Sequence, residues 1–207
     1  MYKREQIFRG REKESAFLWG ARQTGKSTLL KMIYPDALYF DLLLANEFNR
    51  FLSNPSLLRE TVEADNSSSP VIIDEIQRLP SLLNEIQWLI VNRKRQFVLS
   101  GSSPRKIVRS GGNLLGGRAI RYELYPLIYK EIPDFELIRA LNNGLLPRMY
   151  LSERPARLLS AYIGSYLRDE IMAEAKIRNI ASFSRFLEIA AFSNGEIVNY
   201  TNIAAEC

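Results

Sequence analysis

The sequence predicts an α/β fold in three layers, a parallel sheet between helices (α/β/α), followed by a helical region. Three observations carry this. Up to Pro126, short apolar runs alternate with runs of helical spacing, the order that crossovers turn into a parallel sheet. A glycine-rich loop joins the first apolar run to a helix. Beyond Pro126 the strand-like runs stop and amphipathic helical ones take over.

Taken in order, SAFLWG (15–20) is a short apolar strand closed by glycine, and KSTLLKMI continues as a helix with Leu29, Leu30 and Ile33 at helical spacing. ALYFDL (37–42) is a second strand, and PSLLRETVEAD (55–65) a helix opened by proline. PVIIDEI (70–76) is a β-branched run ending in acids, as a buried parallel strand does where its carboxyl end meets solvent. Leu79, Leu82, Leu83, Ile86, Leu89 and Ile90 then keep the spacing of one buried helix face. QFVLSGSS (96–103) is a strand that turns polar at its end, and AIRYELYPL (119–127) a fifth. In the helical region Leu158, Leu159, Tyr162, Ile163, Tyr166, Leu167 and Ile171 share a face of a helix of about five turns. Phe183, Phe186, Leu187 and Ala190 share another, which SNG (193–195) ends. Asn199 or Thr201 caps a last helix of a handful of residues, too short to bury a useful face. The chain is therefore expected to be a piece of a longer protein.

Composition narrows the chemistry. The 207 residues are 46 % apolar and 25 % charged, which places the chain among ordinary globular proteins. There is no histidine, and the one cysteine is Cys207, so Ser-His triads, Cys-based zinc sites and intrachain disulfides are excluded. The charged start MYKREQIFRGREKES lacks the apolar core of a secretory signal, and runs such as DLLLA and WLIV are too short to span a bilayer. A cytoplasmic location with no membrane partner is expected. Net charge is +5. From Ile86 through Tyr122 no acid occurs, while Arg93, Lys94, Arg95, Arg105, Lys106, Arg109, Arg118 and Arg121 do. This basic 93–121 stretch is either a phosphate or DNA surface or a solvated face without a partner.

GARQTGKS (20–27) matches GxxxxGK[ST] in full, the phosphate-loop pattern of P-loop NTPases. Gly20 and Gly25 let the backbone curl so that successive N–H groups converge on phosphates. Across Gly20, Ala21, Arg22, Gln23, Thr24, Gly25, Lys26, Ser27 and Thr28, the Lys26 ammonium would neutralise β and γ oxygens, and the Ser27 hydroxyl would ligate Mg²⁺. The following helix adds the partial positive charge of its N-terminus. A second metal-holding group is expected at another strand end, where Asp74 stands, with Glu75 beside it to polarise the attacking water. An acid directly after the metal-holding Asp is typical of NTPases with an intrinsic base, and no guanine-reading NKxD occurs, so ATP is favoured over GTP. Ser100 and Ser102, on a strand between the other two, are candidates to orient water or the γ-phosphate, or hydroxyls that satisfy their own turn.

With GARQTGKSTLLK, VIIDEIQRLP, FVLSGSSPRK and NLLGGRA in that order, the chain resembles the prokaryotic AAA-type ATPases that carry a C-terminal domain of unknown function. PLIYKEI, GLLPRMYLS, AYIGSYLRDEI and FLEIAAFSNGE extend the similarity over nearly the whole chain. The resemblance implies an ATPase core (1–128), a helical segment (129–178) and the start of a winged helix (179–207), with a nuclease-like domain beyond. Its phosphate-loop residues fall on Gly20, Gly25, Lys26, Ser27 and Thr28, and its acidic pair on Asp74 and Glu75. Where Ala21 stands the family often has proline, a change in loop stiffness. Its recurrent GR falls on Gly117 and Arg118. Arg118 is a candidate for stabilising charge on the γ-phosphate, in cis or across a subunit boundary of a homo-oligomer, or for tying a loop to carbonyls or to Glu123.

Two functions are thus expected to compete. One is Mg²⁺-dependent ATP hydrolysis whose nucleotide state, ATP or ADP, moves the helical and winged-helix segments. The other is a DNA-interacting regulator that binds ATP and hydrolyses it slowly or not at all.

Overall fold

A computed structural model describes residues 2–5, 14–109, 115–166 and 179–206. The chain divides into two units, Met1–Leu151 and Ser152–Cys207. In the first, strands β1 (Ser15–Trp19), β2 (Tyr39–Asp41), β3 (Val71–Asp74), β4 (Phe97–Gly101) and β5 (Ala119–Glu123) form one five-stranded sheet in the order β2-β3-β4-β1-β5. All pairings are parallel. The strand-end residues of β3, β4 and β1 therefore gather at one edge of the sheet, with β4 in the middle.

Side chains alternate along each strand with the period of two that a pleated backbone imposes. Phe17, Trp19, Val71, Ile73, Phe97 and Leu99 face one way and pack with Phe51, Leu58, Val62, Leu82, Ile86 and Leu89. These last come from helices α2 (Ala45–Ser53), α3 (Ser56–Ala64) and α4 (Leu82–Arg93). Leu18, Ile72 and Val98 face the other way, onto Leu29 and Leu30 of α1 (Lys26–Ile33). The result is the three-layer α/β/α arrangement that the alternating pattern predicts.

Two local differences have physical causes. Helix α2 is not singled out in the sequence, because ANEFNRFLS is only nine residues long and opens at Leu44 without a capping side chain, although Phe48, Phe51 and Leu52 keep helical spacing. Its Phe51 is fully buried and meets Phe40 edge-on, ring centroids 5.2 Å apart, a burial worth about 1.5–3 kcal/mol. The helix after β3 begins at Leu82 rather than Leu79. Residues Ile76–Arg78 make a 3₁₀ turn instead, and Pro80 sits between that turn and α4, where it disfavours helical backbone in the residue before it.

After β5 the first unit continues to a 3₁₀ turn at Tyr129–Glu131 and two short helices, Leu137–Asn143 and Pro147–Tyr150. They enclose a small core of Leu127, Ile132 and Tyr150. The second unit contains helices Pro155–Tyr166, Ile180–Phe192 and Tyr200–Glu206. Asn179 caps the second of these by accepting from the Ala181 and Ser182 amides. Ser193 ends it, and Gly195 lies just beyond with φ 87°. Asn199, not Thr201, caps the last helix, accepting from the Thr201 and Asn202 amides. Leu167 and Ile171 lie outside the described residues. Among the described residues no helix is long and apolar enough to cross a membrane.

Candidate functional site

The loop between β1 and α1 is shaped by its glycines. A side-chain carbon on Gly20 would run into the Leu124 carbonyl, so only glycine passes there. Gly25 has φ 95°, the left-handed region, and Gln23 joins it at φ 65°. Thr24 is fully buried and its hydroxyl donates to the Ala21 carbonyl at 2.9 Å. Ala21 and Gln23 are exposed, and Arg22 is half-buried. Lys26 is buried, and its ammonium donates to the loop's own carbonyls, Gly20 at 2.7 Å and Ala21 at 3.2 Å. The N–H groups in the first turn of α1 have no intrahelical acceptor, so the loop ends in a concentration of donors and positive charge.

Asp74, at the end of β3, is 2 % exposed. The sheet order explains what surrounds it. Tyr39 from β2 donates to Oδ2 at 2.6 Å, and Ser100 from β4 donates to Oδ1. Ser27 from α1 donates to Oδ2 at 2.5 Å, and the Glu75 amide to Oδ1 at 3.1 Å. Four donors thus satisfy a buried carboxylate. Burial first, and then the neighbouring Asp74, push the Tyr39 phenol well above its ordinary value, so it stays a donor at neutral pH. Tyr39→Phe is expected to lower stability by about 1–3 kcal/mol by stripping a donor from a buried charged acceptor, as read from urea unfolding.

Glu75 follows with a left-handed backbone, φ 62° and ψ 39°, uncommon for a residue with a side chain. Its carboxylate accepts from the Gln77 amide at 2.5 Å, and the same Gln77 nitrogen donates to Ser102 at 3.2 Å. Gln77 is itself buried and lies against Gly101, where a side-chain carbon would collide with it. The structure therefore brings together Ser27, Asp74 and Ser100, and links Glu75 to Ser102 through Gln77.

Arg118 is not brought to them. It directly precedes β5, whose Ala119 pairs with Ser15 and whose Glu123 pairs with Trp19. The phosphate loop follows Trp19, so Arg118 sits at the opposite edge of the sheet, a five-residue strand or roughly 16 Å away at 3.3 Å per residue. The basic 93–121 stretch is likewise not one free surface. Arg93 pairs with Glu63 at 2.6 Å and Arg95 with Asp65 at 2.7 Å, and the side chains of Lys106 and Arg109 lie outside the described residues.

Beside the loop opens a cavity of about 940 Å³. Thr24, Gly25, Thr28, Leu29 and Met32 form one wall, and Tyr2, Lys3 and Tyr150 contribute to others. Its size suits a small organic ligand. The sequence pattern did not single out Tyr39, Gln77, Arg4 or Glu131. Each acts across the sheet or across the chain, and no spacing signals such a contact; a buried acid in PLIYKEI was the one available hint.

Comparison with known proteins gives five results. A family model described as AAA domain matches residues 12–133, and one described as a domain of unknown function (DUF8612) matches residues 134–207. An uncharacterized protein of Haemophilus influenzae (strain ATCC 51907 / DSM 11121 / KW20 / Rd) is 24 % identical over 89 % of this chain. The chain spans about half, 53 %, of that relative's length. Among solved structures, AMPPCP-bound DnaA from Aquifex aeolicus is similar with a TM-score of 0.44 and 12 % identity, over 92 % of this chain and 76 % of that one. A signal transduction ATPase with numerous domains from Pyrococcus horikoshii has a TM-score of 0.36 and 15 % identity, over 99 % of this chain and 32 % of that one.

Proposed function

The chain belongs to the AAA domain family, and from that premise we propose that it binds ATP with Mg²⁺ at residues 20–28 and hydrolyses it with Glu75 as general base. One observation supports this above others. The phosphate-loop hydroxyl of Ser27 and the strand-end hydroxyl of Ser100 meet on the same carboxylate, Asp74, with Glu75 next to it.

The donor set fits the metal. Ser27 and Asp74 offer hard oxygen ligands 2.5 Å apart, and Mg²⁺ commonly takes one or two carboxylates with phosphate oxygens and water. Among the described residues no group of three or more His, Cys, Asp or Glu is assembled, which leaves phosphate and water to complete the shell. When bound, Mg²⁺ supplies charge neutralisation on the β- and γ-phosphate oxygens. Lys26 exchanges the Gly20 and Ala21 carbonyls for phosphate oxygens. The loop amides and the α1 terminus hold the remaining charge. Glu75 accepts the proton of the attacking water, and Gln77 and Ser102 fix the direction of its carboxylate. The cavity beside Thr28 and Leu29 takes the base and ribose.

From the far edge of the sheet, Arg118 can meet a γ-phosphate only on a neighbouring copy, so an arginine contribution requires a homo-oligomer. Loss of γ-phosphate contacts on hydrolysis is the differential binding that would move the segments beyond the core. Titration calorimetry with Mg²⁺-ATP and Mg²⁺-ADP, followed by a phosphate-release assay, tests the reading. Absence of binding at millimolar nucleotide would overturn it.

A further inference from the structure

Arg4 and Glu131 lie 127 positions apart and form a buried ion pair, Nε to Oε1 at 3.0 Å, with side chains 7 % and 0 % exposed. Surface ion pairs contribute little; this one is desolvated, and both partners are held by further bonds. The Arg4 guanidinium also donates to the Thr24 carbonyl at 2.8 Å, to Tyr125 at 2.6 Å and to Pro126 at 3.3 Å. Glu131 in turn accepts from the Glu5 amide at 2.7 Å and the Ile128 amide at 3.1 Å. One planar fork thus joins three pieces of chain: the N-terminal segment, the phosphate loop, and the turn after β5.

The contact with Thr24 has a directional consequence. In a planar trans peptide the C=O and the N–H point to opposite sides. A guanidinium that draws the Thr24 carbonyl toward itself therefore turns the Gly25 N–H to the opposite side. Among the described residues that amide has no acceptor. Residues Tyr2, Lys3, Arg4 and Glu5 also line the cavity beside the loop, so the segment that carries the clamp touches the same space.

We propose that Arg4, held by Glu131, is a positioning residue that aims the Gly25 amide at the nucleotide phosphate and so couples the phosphate loop to the wall of the neighbouring cavity. This rests on the nucleotide reading of the site. Lysine at position 4 keeps the charge but cannot span three carbonyls and a carboxylate with one nitrogen. Glu131→Gln keeps the shape but sets an NH₂ against an amide that needs an acceptor.

The test measures Kd for ATP and ADP at 20 °C, together with the thermal unfolding midpoint, for the wild type, Arg4→Lys, Glu131→Gln and Arg95→Lys. Arg95→Lys disturbs the Arg95–Asp65 pair, away from the loop. The expected result is a Kd about tenfold higher in the first two variants, with folding retained at the assay temperature, and a wild-type Kd in Arg95→Lys. Should Arg4→Lys not fold, Glu131→Gln carries the same measurement with the guanidinium in place. A lowered midpoint with unchanged Kd would make the clamp merely structural and overturn the proposal alone. Wild-type protein that bound neither nucleotide would overturn the nucleotide site, and the clamp with it.

Discussion

Replacing Lys26 with methionine is expected to raise the Kd for ATP and ADP at least ~100-fold while the chain still folds. Charge-assisted hydrogen bonds to phosphate contribute about 1.5–3 kcal/mol each, and an ammonium placed between two phosphate oxygens makes two of them. Methionine keeps an unbranched stem of similar length, so the packing of this buried side chain is preserved. Without ligand the ammonium already satisfies the Gly20 and Ala21 carbonyls. The substitution removes that pairing and relieves a buried charge at once, and the unfolding midpoint should move little. Calorimetry and urea unfolding on the same preparation separate the two effects. An unchanged Kd would take Lys26 out of the site.

Glu75→Gln is expected to cut turnover by about 10²–10⁴, the range that a general base contributes, while ATP affinity stays within about threefold. Glutamine has the same shape, and its carbonyl can still accept from Gln77, so the left-handed turn is retained. What it loses is the ability to take a proton. Phosphate release at saturating ATP reads the rate, and calorimetry with Mg²⁺-ATP reads the binding. Undiminished turnover would show that Glu75 is not the base.

The sheet was legible because its strands are short apolar runs between helical ones, β-branched in β3, and the strand, glycine loop and helix at 15–33 obey local rules of backbone freedom. Such signals are short in range. Helix α2 escaped because it is short and no capping residue marks its start, while its hold on the core, through Phe51 and Phe48, is tertiary. The surroundings of Asp74 could be read only in part. That an acid ends β3 is visible in VIID, but that Tyr39 donates to it depends on β2 lying next to β3, a matter of sheet order. Arg118 shows the reverse case. Its place before β5 is local information, yet its distance from the loop follows only once β5 is seen to run parallel beside β1. Arg4 and Glu131 lie at the extreme of this scale, joined across nearly the whole first unit.

The left-handed backbone at Glu75 reaches beyond the chemistry. A residue with a Cβ in that region costs of order 1 kcal/mol against glycine, and every copy of the protein carries that penalty whether or not nucleotide is present. Selection for thermal endurance alone would favour glycine or asparagine at this position. On the proposed role of Glu75, a glutamate there is a local compromise between durability and work, and a screen for stabilised variants would be drawn to the residue proposed to activate water.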